Sequence, residues 1–81
     1  MKKVHLYEEF VSEASLSQIH KAAKNGSYPA TVVAIENGKV VYQELVETPQ
    51  LAPAAFNMVK KAYSNAKLHL EDATGKILFK D

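Results

Sequence analysis

The dipeptide Asn37-Gly38 does most to limit the folds open to this chain. It stands between ATVVAIE and KVVYQELVE, two runs rich in β-branched residues. A two-residue loop that closes as a type I′ turn needs positive φ at both central positions, and asparagine followed by glycine meets that need. The pattern predicts a β-hairpin. A second hairpin follows near the end of the sequence, where KLHLE and KILFK flank DATG and Gly75 suits a bulged loop.

Each predicted hairpin is preceded by a helical pattern. Ser15 and Gln18 read as a capping box, predicting a helix from Leu16 to about Lys24 that buries Leu16, Ile19, Ala22 and Ala23. Asn25-Gly26 should end it in the left-handed conformation, and Pro29 enforces the break. In the second half, Thr48-Pro49 offers an N-cap followed by proline. Pro53 would lose a hydrogen bond inside a helix, so the pattern predicts a short 3₁₀-like turn from Pro49. The main helix then runs from near Pro53 to Ser64-Asn65.

Laid over one another, the halves match. IHKAAKN (19–25) resembles VKKAYSN (59–65), and GKVVYQE (38–44) matches GKILFKD (75–81) in residue chemistry throughout. The expected fold is therefore α+β, an αββαββ pseudo-repeat with two helices on one face of a four-stranded, mainly antiparallel sheet. The expected core is Ile19, Ala22, Val33, Ile35, Val40, Tyr42, Phe56, Val59, Ala62, Leu68, Leu70, Ile77 and Phe79. That assignment leaves Val32, Ala34, Val41 and Leu45 on the sheet face away from the helices, as a candidate interface. Sheets with one wet face normally alternate more strictly, so this face calls for a cover. The cover is expected to be the N-terminal segment or a protein partner, either another protein or a second copy.

Eighty-one residues make one small domain, near the size at which a single core is barely sufficient. Cysteine is absent, so the fold must hold without disulfides. No apolar run approaches the roughly 20 residues of a membrane helix, and no membrane partner is expected. All ten basic residues are lysine. Arginine supplies the planar fork that reads guanine edges, so its absence argues against sequence-specific nucleic-acid recognition. Lys21, Lys24, Lys60, Lys61, Lys67, Lys76 and Lys80 allow at most loose, sequence-independent phosphate contact.

No constellation carries catalysis. His5, His20 and His69 have no metal-type spacing, and Glu8, Glu9 and Glu13 read as the wet face of an amphipathic segment. Ser12, Ser15 and Ser17 sit at a helix junction, where capping explains them. The three glycines form no phosphate loop. The expectation is a non-enzyme with no cofactor, no metal and no catalytic residue.

Residues 1–14 stand apart from the domain expected over 15–81. Val4, Tyr7, Val11 and Ala14 fall at helical spacing, giving a short amphipathic helix. Within it, YEEFVSEA (7–14) resembles the N-terminal targeting segment of the internal head proteins of T-even-like bacteriophages, a pattern near Tyr-x-Glu-Phe-(Ile/Val)-x-Glu-Ala. Tyr7, Glu9, Phe10, Val11, Glu13 and Ala14 fit it. The resemblance implies delivery into the prohead and cleavage there, with Val11 as the aliphatic determinant and Glu13-Ala14 as the cut bond. It further implies a small binding protein of the virion or host cytoplasm that occludes a host protein such as a defence nuclease. The alternatives are a lysine-rich nucleic-acid-associated module and a structural or oligomeric component of a particle.

Overall fold

A computed structural model of the chain describes residues 13–80. Within them the order is α1 (Glu13–Ala23), β1 (Ala30–Glu36), β2 (Lys39–Val46), a 3₁₀ turn (Pro49–Leu51), α2 (Ala52–Ala62), β3 (Lys67–Glu71) and β4 (Ile77–Lys80). This is the expected α-β-β-α-β-β succession. The four strands form one antiparallel sheet in the order β2-β1-β3-β4. The first strand of each hairpin is thus central and the second lies at an edge.

The turn chemistry holds. Asn37 and Gly38 take φ of 56° and 80°, as a type I′ turn requires, and Gly75 takes 92°. Both hairpins contain a β-bulge. Ala34 pairs with Tyr42 and Ile35 with Val40, leaving Val41 as the extra residue. Leu70 pairs with Phe79 and Glu71 with Ile77, leaving Leu78 as the extra residue. Val41 and Leu78 hold equivalent positions in GKVVYQE and GKILFKD. The repeat therefore extends to an irregularity of backbone pairing.

Two helix-end expectations are corrected. The backbone is already helical at Glu13, so Ser15 lies inside α1 and not ahead of its first turn. Gly26 is not left-handed; positive φ is confined among the described residues to Asn37, Gly38 and Gly75. Its role is close approach. A Cβ at Gly26 would sit 2.5 Å from Leu78 Cδ1 and 2.8 Å from Asp72 Cβ, so the loop after α1 touches the second hairpin only because a side chain is missing. The end of α1 is tied instead by Tyr28, whose hydroxyl donates to the Ala23 carbonyl at 2.6 Å.

Proline placement in α2 follows expectation, with the 3₁₀ turn opening at Pro49 and Pro53 in the first turn of the α-helix, where its missing N–H is no loss. Thr48 is extended and makes no side-chain cap. The helix stops at Ala62, short of Ser64-Asn65.

The core lies between the helices and one sheet face. Ile19, Ala23, Ala30, Val32, Ala34, Val46, Ala52, Phe56, Val59, Ala66, Leu68 and Leu70 form it. Phe79 packs against it, edge-on to Phe56 at 5.5 Å between ring centres. Here the expected phase of β1 is wrong. Val32 and Ala34 are fully buried under the helices and are not interface residues. Val33 and Ile35 point to the open face, where Val33 is nevertheless buried between Gln43 and His69. All four are apolar, so alternation gave no phase. Small alanines on the inner side let the helices settle close to the sheet.

The bulges explain the other misplacements. Val40 and Tyr42 are two apart and were expected on one face. The extra Val41 between them puts Val40 opposite Ile35 on the open face, while Tyr42 stays on the helix face opposite Ala34. Leu78 separates Ile77 from Phe79 in the same way, leaving Ile77 half exposed. In the helices, Ala23 is buried whereas Ala22 is only half-buried, and Ala62 is exposed.

Candidate partner-binding surface

The edge strand β2 is unusually open for its composition. Val40 is 54 % exposed, Val41 40 % and Leu45 59 %. Leu45 pairs with Thr31 and so lies on the open sheet face with Val40. On the helix face, Tyr42 stacks on Tyr63 just beyond α2, with ring centres 5.2 Å apart and planes 17° from parallel. The Tyr42 hydroxyl donates to Glu44 Oε1 at 2.6 Å. That carboxylate acceptor, and secondarily its charge, raises the Tyr42 pKa above its ordinary value.

The tyrosine pair forms one wall of a crevice between β2 and α2, lined by Tyr42, Met58, Val59, Ala62 and Tyr63. Met58 and Ala62 continue outward with Ala54, Asn57 and Lys61 as a second shallow depression along α2. Ala54, Met58 and Ala62 are spaced by fours, so they make one stripe on the helix. Met58 is half exposed, a long flexible apolar side chain in water. Together β2 and α2 present apolar surface on both sides of a strand that has one strand neighbour among the described residues, and exposure of this kind marks an interaction site.

Of the four interface residues expected from sequence, Val41 and Leu45 are at this surface and Val32 and Ala34 are in the core. Met58, Tyr42 and Tyr63 were missed. The signal was present in α2, where APAAFNMVKKA is apolar on more than the one stripe that a sheet can cover. Of the expected processing residues, Val11 lies outside the described residues, as do Tyr7, Glu9, Phe10, His5 and Glu8. Glu13 and Ala14 begin α1. The expected cut bond thus lies within α1.

Several polar groups elsewhere have structural partners. Asp72, only 8 % exposed, accepts at Oδ1 from the Thr74 hydroxyl (2.7 Å) and from the Thr74 and Lys76 amides (2.9 Å each). Its Oδ2 accepts from the Ser27 amide at 3.2 Å. The Thr74 hydroxyl first, then the three amides, hold its pKa down to about 2 against the opposing effect of burial. The carboxylate clasps the β3–β4 turn to the loop after α1. Burial, and then the Asp72 charge, raises the pKa of Tyr28. His69 Nε2 meets Glu71 Oε1 at 2.8 Å on the open sheet face. The open face also holds Lys67 and Lys80, whereas Lys60 and Lys61 are on α2 and Lys21 and Lys24 close α1. Among the described residues no three His, Asp or Glu side chains gather as a metal would need, and no helix is long and apolar enough to cross a membrane.

Comparison with protein-family models, with curated proteins and with solved structures returns no match for this chain.

Proposed function

We propose that this chain is a small, non-enzymatic protein-binding module that acts by occluding a partner through the β2–α2 surface. The observation that carries the reading is the exposure of Val40, Val41, Leu45 and Met58 around a strand that, among the described residues, is at the sheet edge. Such side chains stand outside the core cluster, and an apolar edge left without purpose is an aggregation hazard. The resemblance of YEEFVSEA to the targeting segment of phage internal head proteins supports a packaged protein whose partner is a host factor.

A photo-crosslinking residue at Leu45 in the full chain, produced in the infected host, tests this. The expected result is one dominant host protein crosslinked at Leu45 and absent when the same group stands at Ala73, an exposed turn position. Equal or no crosslinking from the two positions would overturn the binding reading. Mass spectrometry of mature particles checks the packaging component. It should find the protein there, beginning at Ala14.

A further inference from the structure

One segment of this chain is placed to regulate the surface just described. We infer that residues 4–11 seat on the β2–α2 crevice as a short amphipathic helix, an internal cover that a partner must displace. The inference takes the crevice as partner-binding surface and so rests on the reading above.

The path of the chain supplies the first part. The loop after α1 leads to Ala30, which pairs with Val46 at the end of β2, and α2 follows that end. α1 therefore finishes where α2 starts. The two helices pack together and have 11 residues each, so α1 begins beside the end of α2. Twelve residues precede Glu13, and they join the described structure at that point. α1 touches β4, whereas α2 lies over β1 and β2, so the crevice is on the flank of α2 away from α1. Neighbouring helix axes stand about 8–10 Å apart, a step that two or three extended residues cover at roughly 3.5 Å each. Ser12, directly ahead of α1, is a residue type favoured at an N-cap, where the backbone leaves the helical line.

Matching apolar spacing supplies the second part. Returning along α2 from its end, the segment meets Ala62, Met58 and Ala54 in turn. Val11, Tyr7 and Val4 recur at similar helical spacing, and Val4 to Val11 spans about 11 Å against about 12 Å for Ala54 to Ala62. Val11 then falls against Ala62, Tyr7 against Met58 and Val4 against Ala54. A tyrosine ring beside the Met58 thioether is a favourable contact, and the Tyr42–Tyr63 stack extends the same apolar wall. Half-exposed Met58 thereby loses its contact with water. The cover stays on the helix side of the sheet. It leaves Leu45 on the open face, and the outward backbone groups of Tyr42–Val46, available.

The chain contains no cysteine, so a disulfide can be placed at will. The test compares the full chain carrying Val4→Cys and Ala54→Cys with the full chain carrying Val4→Cys and Ala73→Cys. Ala54 and Ala73 are both exposed and both lie at the end of the molecule away from Glu13, so an undocked segment favours neither. In a glutathione redox buffer at low protein concentration, the intramolecular disulfide to position 54 should exceed that to position 73 at least tenfold. Adding Met58→Glu should remove that preference. Dispersed amide spectra check each fold; where one collapses, Met58→Cys replaces Ala54→Cys and Ala62→Glu replaces Met58→Glu, both at exposed positions. Equal disulfide at the two positions, or none at either, overturns the proposal. So does a disulfide formed mainly between chains, because a second copy then occupies the crevice. If position 54 is not trapped while Leu45 crosslinks a host protein, the cover falls and the binding reading stands. If position 54 is trapped while Leu45 crosslinks nothing, the binding reading falls and takes the regulatory role with it. If both fail, both fall.

Discussion

At Asp72 one carboxylate holds two loops together, and its chemistry makes that clasp sensitive to acid. The folded pKa of about 2 lies below the ordinary value of 3.8. The carboxylate form is favoured in the folded state, so its contribution is complete above about pH 4 and is lost as pH falls towards 2. Urea midpoints should therefore fall more steeply between pH 4 and 2 for the parent than for Asp72→Asn, which cannot titrate. Parallel curves would show that the clasp contributes nothing. Gly26 makes a second prediction at this scale. Gly26→Ala places a methyl group against Leu78 and Asp72 at less than contact distance and should cost about 1–3 kcal/mol in chemical denaturation. Neither role was legible beforehand. Asp72 and Thr74 in DATG have the spacing of an Asx turn, but its reach to Ser27 is a tertiary fact. A glycine after asparagine at a helix end points equally to a left-handed cap and to a close approach.

For the elements, the turns were legible and the strand faces were not. Asn37-Gly38 and Gly75 announce their hairpins because few residues tolerate positive φ. A bulge has no comparable signature. One extra residue at Val41 and another at Leu78 reverse the side on which Val40 and Ile77 fall, and counting by twos cannot find that. The ambiguous phase of β1 came from four consecutive apolar residues, Val32 to Ile35. The corrected faces are directly testable. Val32→Ser buries a hydroxyl in the helix-facing core and should cost about 2 kcal/mol or more. Val41→Ser and Leu45→Ser change exposed edge positions and should stay within about 0.5 kcal/mol of the parent. Equal losses at Val32 and Leu45 would mean that both sheet faces are core. Helix α1 is held by Ile19 and Ala23, both fully buried, so Ile19→Ala should cost about 2–5 kcal/mol, a large share of the stability of a domain this size.

Seen whole, the molecule is two like halves joined through β1 and β3, with unlike outer edges. The repeat in the sequence was enough to expect the αββαββ order, because helix and hairpin signals recur together in each half. The difference between the halves carries the function proposed here, and it was only half legible. Val41 and Leu45 drew notice as surplus apolar residues, but Met58 and the Tyr42–Tyr63 stack join them only once α2 lies against the sheet. In the second half the edge is tucked against α1 by Leu78 and Gly26; in the first the described residues leave it open. Everything proposed for this protein depends on that open edge. Residue-resolved amide hydrogen exchange of the full chain, free of any partner, measures it most directly. Along Tyr42–Val46, the amides that face β1 should exchange slowly, and the alternate amides that face outward should exchange nearly as fast as those of an exposed loop. Uniform protection along β2, equal to that of β1, would show that the edge is already covered and would contradict the account.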